Sequence, residues 1–239
     1  MKKVMITGAT SGIGEALVEL YYQTGFSVIA CGRNKGKLLQ LKKRFSAIQC
    51  LQFDVTQPEE VMQAAADVSK VDILLLNAGD CRYIDNAYHF DAAAFKHNIS
   101  TNLLSMGDLL SSFLPKMDAG SRLVFISSIA TQLPFPQAEA YGASKAGLDY
   151  LANSLRLDLK SVGVDVTLVH PGFVKTPLTD KNNFFMPFIV DTQTAAKRIY
   201  QGVQSRKNYV HFPRRFTYLL KLISLVPNSW WQRIITKKL

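Results

Sequence analysis

Tyr141, Lys145 and Ser128 have the side-chain types and spacing to handle a proton at an oxygen atom. In Tyr141-Gly142-Ala143-Ser144-Lys145 the phenol and the ammonium stand four residues apart within a helical pattern, so they share a face one turn apart. A free phenol ionises near pH ~10, too high for acid–base work at neutrality. An adjacent ammonium stabilises the phenolate and should lower that value, making the hydroxyl a usable proton donor or acceptor. Ser128 lies thirteen residues earlier, just past a strand-like run, where its hydroxyl could hold a substrate oxygen beside the phenol. Its neighbour Ser127 reads instead as a strand-end residue bonded to backbone. Each pattern alone is common; the three together are not.

A second constellation opens the chain. Thr7-Gly8-Ala9-Thr10-Ser11-Gly12-Ile13-Gly14 follows a β-like run and leads into a helical pattern. A pyrophosphate needs backbone N–H donors, a helix N-terminus and no Cβ at the point of closest approach, and glycines at this junction meet those needs. The turn lacks the Gly-Lys-Ser/Thr ending of a nucleoside-triphosphate loop. The second strand ends Ala30-Cys31-Gly32-Arg33-Asn34, without the acid that would grip a ribose 2′-hydroxyl. Arg33 could pair with a 2′-phosphate, which favours NADP(H) over NAD(H).

These residues require a scaffold of alternating strands and helices. Short apolar or β-branched runs at 3–6, 27–31, 48–53, 72–76, 121–127, 164–170 and 209–212 predict strands. Between them, residues 12–24, 35–45, 58–68, 92–115, 139–161 and 192–205 carry apolar positions at helical spacing. Pro58 suits a first helical turn and Asp191 an N-cap. The alternation predicts an α/β, doubly wound, Rossmann-like three-layer sandwich around a seven-stranded, mostly parallel sheet. Residues 173–190 break the rhythm and should lie as a loop over the ligand crevice. No repeat or linker interrupts the 239 residues, so a single domain over 1–239 is expected.

Charge is unevenly placed. The net charge is +10, yet residues 1–191 balance to zero, while residues 192–239 hold ten basic side chains and no acid. Within that end, residues 213–239 interleave the cations with Phe216, Tyr218, Leu219, Leu220, Leu222, Ile223, Leu225, Val226, Trp230, Trp231, Ile234 and Ile235. Such a basic amphipathic segment could cover the substrate cleft or a subunit interface, or make weak contact with a membrane surface. It carries no nucleic-acid recognition motif. Three cysteines, Cys31, Cys50 and Cys81, have neither a disulfide framework nor metal-ligand spacing; they read as small buried hydrophobes, and no metal is expected. With no signal-peptide pattern and no run near the roughly 18 apolar residues of a membrane span, the expected location is cytoplasmic.

Thr7 to Gly14, Asn77-Ala78-Gly79, Asn102, Ser128, Tyr141 with Lys145, and Pro171-Gly172 together resemble the short-chain dehydrogenase/reductase family, in order and spacing, over about three quarters of the chain. The resemblance implies a hydride transfer between NADP(H) and a carbonyl/alcohol pair. Catalytic roles would fall to Asn102, Ser128, Tyr141 and Lys145, with Asn102 holding a proton-relay water. Cofactor contacts would come from Gly8, Thr10, Ser11, Gly12, Ile13, Gly14, Arg33, Asp54, Val55, Asn77, Ala78, Gly79, Tyr141, Lys145, Pro171, Gly172, Val174 and Thr176. It also implies a homodimer or homotetramer built through the helices beginning near Asn98 and Glu139. Apolar Phe184, Phe185, Met186 and Phe188, with Leu133-Pro134-Phe135, suggest a lipophilic or aromatic substrate. The alternatives are a catalytically silent dinucleotide-binding regulator, a peripheral membrane-binding module using the C-terminal segment, and strict NAD use with Arg33 incidental.

Overall fold

The computed structural model describes residues 1–182 and 184–236. Lys237 and Lys238 of the basic segment lie outside the described residues, as does the side chain of Ile234. In chain order the elements begin β1 (Lys3–Ile6), α1 (Gly12–Gln23), β2 (Ser27–Gly32), α2 (Lys35–Arg44), β3 (Gln49–Gln52), α3 (Pro58–Ala66) and β4 (Ile73–Leu76). They continue with α4 (Ala92–Ile99), α5 (Ser105–Phe113), β5 (Arg122–Ile126), α6 (Glu139–Asp158), β6 (Asp165–Pro171), α7 (Thr192–Gln204), β7 (Tyr209–Phe212), α8 (Arg214–Ile223) and α9 (Asn228–Thr236).

The strands form one sheet in the order β3-β2-β1-β4-β5-β6-β7. Every neighbouring pair is parallel, so the sheet goes one step further than the mostly parallel one expected. The reason is visible in the connections: each strand returns through a helical crossover, which brings the chain back in the same direction. Strand order reverses between β1 and β4, and the carboxyl ends of those two strands part into a crevice.

Alternation along the strands sorts the core into two layers. Val4, Ile6, Val28, Leu75 and Val124 pack with Leu17 and Tyr21 of α1, Leu38 of α2 and Ile199 of α7. Met5, Ile29, Leu74 and Phe125 face the other way, onto Val61 of α3, Leu109 and Phe113 of α5, and Leu148 of α6. Pro58 opens α3, and the Asp191 carboxylate caps α7 by accepting from the Thr194 N–H over 2.6 Å.

The unbroken helix predicted for 92–115 is not what forms. Ser100–Leu104 is a π-helical turn between α4 and α5, and Leu114–Lys116 tightens to 3-10 geometry. Pro115 accounts for the end, because it has no N–H to extend the ladder. The π turn contains Asn102, and such turns recur at functional sites.

A smaller apolar cluster sits over one end of the crevice. Phe216 and Leu220 of α8 and Trp231 of α9 pack on Ile129 and Leu133, which follow β5, and on Phe173, which follows β6. The Trp231 indole N–H donates to the Pro134 carbonyl over 2.6 Å. The two C-terminal helices therefore act as a cover for the loops beside the crevice.

Candidate active site

The crevice is a cleft of about 530 Å³. Of the predicted cofactor contacts, all but Gly14 line it. Gly14 matters in another way: a Cβ there would stand 2.1 Å from the Gly8 carbonyl oxygen, so only glycine lets the first turn of α1 close on the loop. Gly8 adopts φ +64°, in the left-handed region, and a Cβ on it would meet the Ala78 backbone at 2.8 Å. Asn77 fastens this loop to β4: its amide donates to the carbonyls of Thr7 and Gly8 over 3.0 and 3.2 Å. In return, Thr7 Oγ1 accepts from the N–H groups of Asn77 and Ala78, both over 3.0 Å. The result is a glycine-lined cradle at a helix N-terminus, which fits a dinucleotide pyrophosphate.

At the β2 end of the cleft, a Cβ on Gly32 would lie 2.9 Å from Thr10 Cγ2, so a side chain at the position that bears an acid in many NAD sites would have to displace Thr10. Arg33 beside it is 69% exposed and pairs with Asp54 at 3.3 Å. Burial pushes the Asp54 carboxyl up, but hydrogen bonds from the Thr56 backbone and hydroxyl and from Arg33 outweigh it and hold the group below the usual carboxylate range. Lys37 lines the same end, one helical turn past Asn34, whose side chain caps α2. Sequence reasoning passes over Lys37, although its place in the first turn after β2 is a signal that could have found it.

The other end gathers the proton-handling groups. Ser128, in extended backbone just past β5, begins a 3-10 turn, its hydroxyl oxygen accepting from the Ala130 N–H over 3.1 Å. Tyr141 lies in the first turn of α6 and its phenol is hydrogen-bonded to Ser128. The Lys145 ammonium sits 5.9 Å from the Tyr141 ring centroid and donates to the Ile126 carbonyl over 2.9 Å. Ser127 Oγ bonds the Lys145 carbonyl at 3.4 Å, the strand-end role expected of it. Gly79 marks the meeting point, since a Cβ there would be 3.0 Å from Asn102 Oδ1 and 3.4 Å from Lys145 Nζ.

One expectation changes here. The depression of the Tyr141 phenol by Lys145 does not appear: burial raises it, Cys81 adds to the rise, and only the Ser128 hydrogen bond opposes them. The ammonium bonds the strand instead of the phenol, and burial lowers Lys145 itself to about 8 against the smaller opposing pull of Asp149. Asn102 is fully buried behind the cleft. Its Oδ1 accepts from the Asp80 N–H over 2.8 Å, and its Nδ2 donates to the Asp80 carbonyl and to Ser144 Oγ, both over 2.9 Å.

Other polar residues escape a reading of the sequence. Asp80 and His97 lie 2.8 Å apart at the cleft wall. Behind Lys145, Asp149 Oδ2 stands 2.9 Å from His170 Nε2, and His170 Nδ1 is 2.8 Å from the Tyr209 hydroxyl. Asp149 falls four residues after Lys145, so helical spacing alone could have placed it on the same face. Cys81, expected as a small buried hydrophobe, is only partly buried and close enough to act on Tyr141; burial keeps its thiol neutral, pushed up to about 11.

Residues 2–186 match the short chain dehydrogenase family. The chain belongs to that family. A short-chain dehydrogenase is an oxidoreductase that uses a nicotinamide dinucleotide, and the cradle and the Ser128, Tyr141 and Lys145 cluster line one cleft, as that chemistry needs. An uncharacterized oxidoreductase of Myxococcus xanthus is 32% identical over 237 residues, covering 95% of this chain and 93% of that protein. The sulfoacetaldehyde reductase 2 of Chromohalobacter salexigens is 34% identical over 187 residues, 74% of each protein. Among solved structures, a closed serine dehydrogenase complexed with NADP+ superposes with a TM-score of 0.79 at 24% identity, covering 88% of this dehydrogenase and 94% of that chain.

Proposed function

We propose that this short-chain dehydrogenase is a single-domain enzyme that moves a hydride between NADP(H) and a lipophilic or aromatic carbonyl/alcohol pair. The observation that carries the reading is the convergence of Ser128, Tyr141 and Lys145 in one cleft with a glycine cradle and with Arg33 and Lys37. When bound, the nicotinamide supplies or accepts the hydride.

The residues of the chain do the rest. Ser128 orients and polarises the substrate oxygen, and Tyr141 gives it a proton in the reductive direction. A buried phenol whose pKa is raised keeps its proton until an oxygen of growing negative charge draws it off. Lys145, lowered to about 8, exchanges protons near neutrality and can resupply the phenol. Asn102 and Ser144 hold the helix turn that carries both groups. The backbone of the glycine turn receives the pyrophosphate, and Asp54 and Val55 border the adenine. Pro171, Gly172, Val174 and Thr176 wall the nicotinamide.

Preference for NADP(H) is supported by the glycine at position 32, where an acid would repel a 2′-phosphate, and by two cations lining the cleft beside it. The lipophilic substrate class is supported by the ring contacts of Phe173 with Phe184 and Phe216, beside the cover helices. Association as a homodimer or homotetramer is supported by Leu104 ahead of α5 and by Tyr150 and Leu157 on α6, exposed by 62%, 80% and 77%. We also place the protein in the cytoplasm; among the described residues no helix is long and apolar enough to cross a membrane.

The test is NADPH consumption by the purified protein across a panel of aliphatic and aromatic aldehydes and ketones. Carbonyl-dependent consumption that favours the apolar members supports the reading. Tight NADPH binding with no turnover on any carbonyl would instead support the silent regulator.

A further inference from the structure

We propose that the outward face of α8, with the turn and tryptophan that follow it, is a docking surface for an anionic lipid bilayer. The proposal stands apart from the redox reading, because it uses no residue of the cleft.

Helix α8 is apolar on two opposite sides. Phe216, Thr217 and Leu220 are buried against the loops beside the crevice. That packing should leave the outer side polar on a soluble enzyme. The outer stripe instead runs Arg215, Leu219, Leu222, Val226 at four- and three-residue steps, and the three apolar members are 50%, 65% and 38% exposed. Leu225 beside them is 81% exposed. Helix α9 repeats the division within one dipeptide: Trp231 is buried with its indole N–H on Pro134, whereas Trp230 is 61% exposed. An exposed tryptophan five residues after an exposed leucine, among exposed arginines, is the composition of a segment lying in a bilayer interface.

Charge selects the partner. From residue 192 onward the sequence has ten basic side chains and no acid, and Arg214, Arg215 and Arg233 are exposed on these two helices. A second copy docking through the same face would set cation against cation, with no carboxylate on either helix to offset them. An anionic headgroup layer complements the arginines, while the leucines and Trp230 enter the acyl boundary. Among the described residues no helix can span a membrane, so the contact is superficial and reversible.

The test is flotation of the full-length protein with phosphatidylcholine vesicles and with phosphatidylcholine/phosphatidylglycerol vesicles, at low and high salt. Binding is expected only with phosphatidylglycerol, is released by salt, and is accompanied by a blue shift of tryptophan emission. Leu222→Glu/Leu225→Glu should weaken it by about tenfold or more, since both buried apolar contacts are lost. That variant should keep its unfolding midpoint, because both side chains are exposed. Arg214→Gln/Arg215→Gln should weaken binding and flatten its salt dependence. No binding to phosphatidylglycerol vesicles, or equal binding by wild type and the leucine variant, overturns the proposal. So does a leucine variant that turns an oligomer into monomers while neither form floats, which would make the face a subunit interface.

Discussion

The side-chain amide of Asn102 donates to the hydroxyl of Ser144 across 2.9 Å, which fastens the π-helical turn to the residue just before Lys145. The same side chain grips both the N–H and the carbonyl of Asp80, directly after Gly79. One buried amide thus fixes the loop after β4, the turn after α4 and the face of α6 that carries Tyr141.

Asn102→Ala should therefore leave the part-buried Asp80 N–H and carbonyl without their partner, while Ser144 keeps its bond to the Tyr141 carbonyl. Each orphaned group costs about 1–3 kcal/mol, so thermal unfolding should show a loss of that order or more. Turnover should fall further than NADPH affinity, because the cradle keeps its own hydrogen bonds. Paired melting curves and kinetics check both effects.

Tyr141→Phe removes the proton donor and little else, since the half-buried ring keeps its place in the cleft wall. Positioned acid–base groups contribute on the order of 10²–10⁴-fold, and kcat should drop within that range. NADPH binding should hold to within about twofold, as the phenol is not part of the phosphate cradle. Full turnover by this variant would remove Tyr141 from the mechanism.

Much of this arrangement is legible in the sequence. Strand positions, and most helix ends, follow from periodicity to within a residue or two, α6 ending three residues early, because the parallel sheet is covered on both faces and its strands must be apolar. The glycine turn and the Tyr141/Lys145 face are readable because sterics and helical geometry tie them to short spacing. The π turn is not, since its insertion within 92–115 leaves the apolar rhythm nearly intact. The Asp149, His170 and Tyr209 chain joins three elements, and no local pattern reports a contact between α6, β6 and β7. The direction of the Tyr141 shift also escapes, because burial depends on what closes over the phenol.

Two glycines give a paired prediction. Gly14→Ala sets a Cβ 2.1 Å from the Gly8 carbonyl, so the turn must open. Overpacking of this kind costs about 1–3 kcal/mol, and NADPH binding should be largely lost as the cradle widens. At Gly142, in α6 beside Tyr141, an added Cβ would have no neighbour within 4 Å. Gly142→Ala should raise stability by about 0.5–1 kcal/mol through helix propensity. Chemical denaturation of the two variants separates a glycine held by space from one that is not.

Lys145 gives a prediction with a pH sign. Burial lowers it to about 8 from 10.5 in the open chain. Between those values the unfolded chain binds the extra proton, so this group makes stability rise with pH across that window. Below about 8 both states hold the proton, and the burial penalty is constant. The unfolding free energy of wild type minus that of Lys145→Met should therefore climb from pH 8 toward 10.5 and be flat below it. Amine labelling of the folded protein, read by mass spectrometry, should show Lys145 half-reactive near pH 8.

The most direct test of the central claim is a fluorescence titration of wild type and Arg33→Glu with NADPH and NADH. Wild type should bind NADPH the more tightly. Arg33→Glu should lose about 1.5–3 kcal/mol of NADPH affinity, the worth of a hydrogen bond to a charged group, while NADH binding changes little. Failure of wild type to bind either dinucleotide would contradict the account at its root, and an equal response of both cofactors to Arg33→Glu would remove the 2′-phosphate from it.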